Sequence, residues 1–241
     1  TYLKAAGYDG IILSGAAPKP VYLYIDEGKA ELRDAEKVWG LGTRATEDRL
    51  REAVGSRDAK VLCIGPAGEN LNRAAMLAND YNHFAAHSGG AVFGSKKLKA
   101  IVVHGTQRPS YRDKAKLVDA GWRWRQTLQQ HDVKKKKTKY GHGEAWGALN
   151  NLNWRSTSLT PEHIHGFGAN DVVLRPCFQC ARMCPWDATV GEGQHKGAQL
   201  HFNAGGEWLD TFFNLGIKRN SALYLAERIN DLGIECSHFS C

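Results

Sequence analysis

The sequence is poor in methionine and contains no long apolar run. Its only methionines are Met76 and Met183, and the chain starts at Thr1, so we expect a fragment of a longer protein. No apolar stretch approaches the roughly 18 residues that a membrane-spanning helix needs, which predicts that the chain has no membrane span. With 42% hydrophobic and 24% charged residues, the composition is typical of a globular protein.

Cysteine is also scarce, and its distribution argues against a disulfide framework. The chain has six cysteines, and half of them lie in one short cluster. Secreted proteins held together by disulfides carry denser and more evenly spaced cysteines. A reducing compartment with a metal site fits better, so we expect a cytoplasmic protein.

The net charge of +7 is concentrated in the run KKKKTK at residues 134–139. Such a run is typical of a solvated loop, or of a docking site for an acidic protein partner. No aromatic residues interleave with it and no recognised nucleic-acid module surrounds it. We therefore expect no nucleic-acid partner.

The pattern of apolar residues predicts an α+β fold in two parts. Strands are predicted at residues 7–15 and 19–26, as a pair, and again at 59–65 and 98–105. A helix is predicted in ATEDRLREAVG, with Thr46 as N-cap and Gly55 at its end. After residue 108 helices dominate, including 117–130 and 221–232, the latter ended by Gly233. We expect a β-rich domain at 1–108 and a mainly helical domain at 109–241.

The most specific chemical signal is the stretch RPCFQCARMCPWDATVG, which contains Cys177, Cys180 and Cys184. Structural zinc usually needs a second pair of ligands, and His195 and His201 are the available candidates. The spacing C-x2-C-x3-C-P is also the end of a ferredoxin cluster motif, although its leading cysteine is missing. An iron–sulfur cluster is favoured, with a fourth ligand from Cys236, Cys241, Cys63 or a segment outside the chain.

Several longer motifs resemble the tungsten-containing aldehyde:ferredoxin oxidoreductase family. They are IGPAGENLNRAAMLAND at residues 64–80, HSGGAVFGSKKLKAIVVHG at 87–105, AGYDGIILSG, VWGLGTRATED and KYGHG. The resemblance spans nearly the whole chain and includes the three-cysteine motif. It implies that residues 1–108 are the later part of the family's N-terminal cofactor-binding β domain, and that residues 109–241 begin its helical domain. It also implies a fourth cluster cysteine in a later domain.

The resemblance further implies a tungsten or molybdenum bis-pterin cofactor whose phosphates meet at Mg²⁺, together with a [4Fe–4S] cluster. Small residues let backbone N–H groups approach phosphates closely. A tight glycine turn without a ligand is the alternative interpretation. The stretch concerned is YNHFAAHSGGAVFGSK at residues 81–96. Relatives carry arginines in it, where this chain has histidines. The candidate pterin contacts here are Asn82, His83, Ala85, Ala86, His87, Ser88, Gly89 and Gly90.

A second pterin signature of the family corresponds to NDLGIEC at residues 230–236. The candidate contacts in it are Asn230, Gly233, Ile234, Glu235 and Cys236. Asn230 and Glu235 stand where the family has aspartates, and without the resemblance the motif would be a plain helix cap. Three roles stay open for Cys236: metal ligand, nearby thiol and inert buried thiol.

The activity implied by the resemblance is oxidation of aldehydes to carboxylic acids, with ferredoxin or a ferredoxin-like subunit as electron acceptor. Glu207 in GGEWLDTFFNLG is the candidate catalytic base, and Asp210 or a merely solvated carboxylate are the alternatives. Two other functions remain open: a cofactor-carrying subunit of a larger redox complex, and a reductase of aromatic thioesters. A homo-oligomer is also expected.

Overall fold

The computed structural model describes residues 2–81, 83–85, 89–108, 110–134, 172–174, 186–191, 193–202, 217 and 219–235. The chain divides into two compact units. The first unit comprises Thr1–Pro109 and Arg228–Phe239, and the second comprises Ser110–Glu227 and Ser240–Cys241. The assignment of residues 1–108 and 109–241 to two domains of the family stays a prediction.

The first unit is built on a six-stranded sheet with the strand order β2-β1-β6-β3-β4-β5. Strands β1 and β6 are parallel, and the other neighbours are antiparallel, so the sheet is mixed. The expected α+β class is thereby confirmed for this unit. Its elements are α1 (Tyr2–Ala5), β1 (Val21–Asp26), β2 (Lys29–Asp34), α2 (Thr43–Ala53), β3 (Lys60–Cys63), α3 (Pro66–Glu69), β4 (Leu77–Asn79), β5 (His83–Ala85), α4 (Gly89–Ser95) and β6 (Leu98–His104).

Both faces of the central strands are covered. Successive side chains of a strand point to opposite faces, so Tyr22 and Tyr24 enter one core cluster while Leu23 and Ile25 enter another. Strand β6 is buried along nearly its whole length, as a central strand between two covered faces requires. Strand β2 is charged and mostly exposed, which suits an edge strand.

The strands predicted at residues 59–65 and 98–105 are confirmed as β3 and β6, but the predicted pairing of residues 7–15 with 19–26 is wrong. Residues 7–15 form no strand, and β1 pairs instead with β2. The two strands are joined by Glu27 and Gly28, both with positive φ, which matches the twist of a tight hairpin.

Helix α2 starts four residues earlier than its sequence predicts, with its N-cap at Gly42 in place of Thr46. Thr46 lies inside the helix with its hydroxyl donating to the carbonyl of Gly42 at 2.7 Å. The predicted end is correct, because Gly55 follows the helix with φ of 68°. The earlier start moves Glu47 from the expected first turn into the middle of a buried face.

The described part of the second unit contains the long helix α5 (Lys114–Lys134) and a three-stranded antiparallel sheet in the order β7-β8-β9. These strands are β7 (Val172–Leu174), β8 (Trp186–Thr189) and β9 (Gln199–Phe202). The predicted C-terminal helix is α6 (Arg219–Leu232), whose last residues belong to the first unit. No helix in the described parts of the chain is long and apolar enough to cross a membrane.

Candidate functional site

Three segments that are far apart in sequence meet in the first unit: residues 64–76, the start of α4, and residues 230–235. The backbone N–H of Met76 donates to the carbonyl of Gly233 at 2.9 Å, and that of Glu235 donates to Ala74 at 3.0 Å. An isolated antiparallel bridge pairs Ala75 with Ile234 between them. The structure therefore joins the candidate residues after α6 to the segment that leads into β4.

Two glycines allow this contact. Gly233 ends α6 with φ of 77°, as the sequence predicts for a helix C-terminus, and a Cβ there would lie 2.7 Å from the backbone nitrogen of Gly65. A Cβ on Gly65 would lie 2.4 Å from the carbonyl oxygen of Leu232. Real side chains do not tolerate such distances, so the two backbones approach each other only because both residues lack a Cβ.

The start of α4 is anchored in the same way. Gly90 donates its N–H to the carbonyl of Ala75 at 3.2 Å, and a Cβ on Gly90 would lie 2.7 Å from the carbonyl oxygen of Met76. A Cβ on the neighbouring Gly89 would meet only the side chain of Leu77, at 3.2 Å. Gly90 is thus required by packing, whereas a Cβ on Gly89 contacts side-chain atoms alone among the described residues.

Asn230 is the polar residue at the centre of this region. It is 3% exposed, and its backbone carbonyl accepts a hydrogen bond from the hydroxyl of Thr43 at 3.2 Å. Its side-chain nitrogen and oxygen are both buried, and neither has a hydrogen-bond partner among the residues that the structure describes. Buried amides are almost always paired, so the carboxamide without a partner among the described residues makes Asn230 a candidate binding residue.

A buried ion pair supports the segment at residues 64–70. The ammonium of Lys99 lies 2.5 Å from the carboxylate of Glu69 and donates to the carbonyl of Leu41 at 2.9 Å. Both Glu69 oxygens also accept the N–H of Gly40 at 2.9 Å. Desolvation lowers the pKa of Lys99, and the Glu69 carboxylate opposes that shift.

A second buried carboxylate lies at the turn between β4 and β5. Glu47 is fully buried in α2, pairs with Arg51 at 2.8 Å, and accepts the backbone N–H of Tyr81 at 2.9 Å. Burial raises the pKa of Glu47 from 4.5 to about 7. Its burial is not visible in the sequence, because ATEDRLREA also suits a solvated first turn.

The described residues include only some of the predicted contacts. His83 and Ala85 lie in β5, and Gly89 and Gly90 begin α4. Asn230, Gly233, Ile234 and Glu235 lie in the region where the three segments meet. The other candidates lie outside the described residues: Asn82, Ala86, His87, Ser88, Cys177, Cys180, Cys184, Glu207 and Cys236.

Cys63, one of the candidates for a fourth cluster ligand, is a core residue. Its side chain is fully buried, and its thiol lies 3.5 Å from the carbonyl oxygen of Thr43, to which it donates. Burial raises the pKa of the thiol well above its ordinary value, so it stays protonated, whereas cluster ligands are thiolates. His195, a candidate zinc ligand, stacks on the ring of Tyr224 with centroids 4.1 Å apart.

Comparison with known proteins identifies relatives of the first unit. Residues 1–105 match the family described as aldehyde ferredoxin oxidoreductase, N-terminal domain. The chain is 48% identical over 117 residues to a tungsten-containing aldehyde ferredoxin oxidoreductase of Pyrococcus furiosus, a match covering 48% of this chain and 19% of that protein. It is 40% identical over 129 residues to the aliphatic sulfonate oxidoreductase, WOR-like subunit, of Pyrococcus furiosus, covering 48% and 21% of the two chains.

One solved structure extends the likeness beyond the first unit. The active site complex BamBC of benzoyl coenzyme A reductase, in complex with 1,5-dienoyl-CoA, superposes with a TM-score of 0.82 at 24% identity. The match covers 97% of this chain and 38% of that chain. At this identity the likeness shows a shared fold. The matched segment corresponds to about a fifth of the length of the curated relatives, at 19% for the first of them.

Proposed function

From the match of residues 1–105 to the aldehyde ferredoxin oxidoreductase N-terminal domain family, we propose that the protein is an oxidoreductase with a tungsten or molybdenum bis-pterin cofactor. It oxidises aldehydes to carboxylic acids and passes the electrons through a [4Fe–4S] cluster to ferredoxin or a ferredoxin-like subunit. The family match and the identity of 48% to a tungsten enzyme support the proposal.

The observation that carries the proposal is the unpaired carboxamide of Asn230. A carboxamide offers two N–H donors and an oxygen acceptor, and a pterin ring edge offers donors and acceptors of the same spacing. Asn230 is 3% exposed, and both of its side-chain polar atoms are buried without a partner among the described residues. The residues present therefore fit a pterin, and Asn230 would fix the orientation of its ring.

The other predicted residues divide the remaining tasks. Backbone N–H groups of residues 85–89 would bind the pterin phosphates together with Mg²⁺, since glycine and alanine permit close approach. The side chains of Asn82, His83 and His87 would add polar contacts, and Cys236 would present its sulfur towards the metal. When bound, the metal–pterin group supplies the two-electron redox chemistry.

Cys177, Cys180 and Cys184 would hold three irons of the cluster, and a cysteine outside this chain would hold the fourth. With Cys63 buried in the core, the fourth ligand has one candidate fewer. Glu207 would act as the general base that takes the proton from water or substrate.

Elemental analysis of the purified natural protein tests this proposal directly. We expect tungsten or molybdenum, pterin, and about four iron atoms per chain. An EPR signal should appear on reduction, and Cys180→Ser should abolish it or change it to that of a three-iron cluster. Zinc without iron would contradict the cluster assignment, and absence of pterin would contradict the proposed function.

Substrate assays should follow on the same preparation, with ferredoxin as the electron acceptor. We expect turnover of aldehydes. Aliphatic sulfonates with the same acceptor, and aromatic coenzyme A thioesters with reduced ferredoxin as electron donor, are the informative comparisons, because the names of one relative and of one fold neighbour contain them. Turnover of either in place of aldehydes would move the protein to a different branch of the same chemistry.

A further inference from the structure

The turn between β4 and β5 is held in an unusual backbone conformation. Asp80 and Tyr81 have φ of 52° and 64°, although neither is glycine. The left-handed region costs energy for residues with a Cβ, and two in succession persist only when their surroundings hold them there. The turn decides the register in which His83 pairs with Asn79 and Ala85 pairs with Leu77.

Each residue of this turn is held by charged groups. The carboxylate of Asp80 accepts from Arg51 at 2.9 Å and from Lys60 at 2.9 Å. The backbone N–H of Tyr81 donates to Glu47 at 2.9 Å, and the Arg51 guanidinium lies 4.8 Å from the centre of the Tyr81 ring. Glu47 and Arg51 therefore act on both residues of the turn.

Glu47 divides its two carboxylate oxygens between these partners. Oε2 accepts from Arg51, and Oε1 accepts from Tyr81. The Glu47 side chain has no exposed surface and that of Arg51 is 12% exposed. A buried carboxylate is costly unless it is paired and hydrogen-bonded, so its retention here argues that the charge has a purpose.

The position of Glu47 and Arg51, next to the predicted pterin-binding stretch, indicates what the buried charge does. The stretch at residues 82–88 contains most of the predicted pterin contacts of the first signature. Gly90 follows this stretch; its N–H donates to the carbonyl of Ala75, and the absence of a Cβ lets it pack on Met76. Tyr81 directly precedes the stretch, and its N–H donates to Glu47. The described residues on either side of the stretch, Tyr81 and Gly90, are thus hydrogen-bonded to other elements of the first unit.

We propose that Glu47 and Arg51 are positioning residues for the cofactor: they hold the turn at Asp80 and Tyr81, and so fix the start of the pterin-binding stretch. This inference rests on the proposed function. Neither residue touches the cofactor in this role. The effect passes through the backbone of Tyr81 into β5.

Hydrogen exchange of the purified holoenzyme tests the proposal. Glu47→Gln keeps the size of the side chain and an acceptor for Tyr81, but it loses the charge that faces Arg51. We expect exchange in a peptide covering residues 78–90 to accelerate about tenfold, because a charge-assisted hydrogen bond is replaced by a weaker one. Exchange in β6 reports the stability of the whole first unit, so the acceleration at residues 78–90 should exceed any change in β6.

The matched control is Glu52→Gln, on the same helix. Glu52 is exposed and pairs with Arg49 at 3.4 Å, so its loss should leave exchange at residues 78–90 as in the wild type. Equal acceleration in both variants would overturn the proposal, because it would reflect general loosening of α2.

Cofactor content provides the second readout. We expect Glu47→Gln to lose pterin and metal more readily than Glu52→Gln on dilution or gel filtration, with iron unchanged. Unchanged exchange and full pterin content in Glu47→Gln would overturn the positioning role alone. A wild-type protein without pterin would overturn the proposed function together with this inference.

A third readout needs no variant, and so stays valid if Glu47→Gln does not fold. The titratable or charged groups facing Glu47 are Arg51 on α2, Cys63 at the end of β3, and Asp80 and Tyr81 after β4. After correction for intrinsic exchange, protection at residues 78–90 relative to that of β6 should be higher at pH 8 than at pH 6, because ionised Glu47 binds Arg51 and Tyr81 more strongly while the loss of global stability affects both segments. Equal relative protection at both values would overturn the proposal.

Discussion

Gly65 and Gly233 face each other with their backbones in contact, so that a Cβ on Gly233 would lie 2.7 Å from the nitrogen of Gly65. One glycine lies between β3 and α3, and the other follows α6. Their contact brings Asn230 beside the elements that carry the first signature. The candidate site therefore depends on a close approach of two backbones, which only glycine at both positions allows.

Alanine at either glycine should destabilise the first unit. Gly65→Ala and Gly233→Ala each force a methyl group into backbone atoms, and we expect a loss of about 3 kcal/mol in the free energy of unfolding. Gly121→Ala is the control: a Cβ there meets no atom of the described residues within 4 Å, and alanine suits α5. It should be neutral or stabilise by about 1 kcal/mol. Urea denaturation of the three variants measures the difference, and equal effects would contradict the contact.

Gly89 and Gly90 should respond differently to substitution. Gly90→Ala places its methyl group against the carbonyl of Met76 and should destabilise the fold. Gly89→Val meets only the Leu77 side chain, so the fold should survive while the β-branched group blocks approach to the pterin. Thermal unfolding and pterin analysis separate the two effects. A fully loaded Gly89→Val protein would show that Gly89 is not a cofactor contact.

Replacing Asn230 should lower pterin binding without lowering the stability of the cofactor-free protein. In cofactor-free protein, Asn230→Leu removes a buried carboxamide without a partner among the described residues, so we expect unchanged or greater stability. Asn79→Leu is the control, since Asn79 donates to the carbonyl of Val61 at 2.6 Å. It should lose about 1 kcal/mol. Pterin content should fall in Asn230→Leu, and destabilisation matching that of Asn79→Leu would show that the carboxamide has a partner within the protein.

Removing only Lys99 from the buried ion pair with Glu69 should destabilise the protein more than replacing both residues. Lys99→Met leaves the Glu69 carboxylate buried opposite an apolar group, and we expect a loss of about 3–5 kcal/mol. Adding Glu69→Gln removes that charge while keeping an acceptor for Gly40, so part of the loss should be recovered. A double-mutant cycle in urea measures the coupling, and strict additivity would argue against the ion pair.

Glu47 should give the free energy of unfolding a distinct dependence on pH. Its pKa is about 7 in the folded protein and about 4.5 when exposed, so between these values the folded state holds a proton that the unfolded state releases. The contribution is complete below about pH 4.5 and is lost as pH rises through 7. It amounts to about 3 kcal/mol.

The variant Glu47→Gln lacks this titration. The difference in unfolding free energy between the wild type and Glu47→Gln should therefore change in favour of the variant as pH rises from 4.5 to 8. Glu52→Gln should follow the wild type throughout. A constant difference across this range would show that Glu47 titrates with an ordinary pKa.

Part of this architecture follows from local sequence patterns. The strands β3 and β6 are short apolar runs bounded by turn residues, and α6 has a regular apolar face that ends at Gly233. In each case neighbouring residues alone determine the conformation, because propensity, periodicity and the glycine stop agree.

The remainder depends on contacts between residues far apart in sequence. Residues 7–15 have a β-rich composition but form no strand, because β1, their predicted partner, pairs with β2 on one side and β6 on the other. The turn at Asp80 and Tyr81 contains no glycine, and its positive φ values arise from partners on α2 and β3. The burial of Glu47 likewise follows from the packing of its helix, which no local pattern encodes.

The rate at which the buried thiol of Cys63 is labelled can report the opening of the first unit. Its thiol is wholly enclosed by the core of the first unit and stays protonated, so alkylating reagents reach it only when that core opens. The time course of its labelling, followed by mass spectrometry of the peptide that contains it, reports how often this unit unfolds under native conditions. The first unit thereby carries a probe of its own opening that requires no engineered residue.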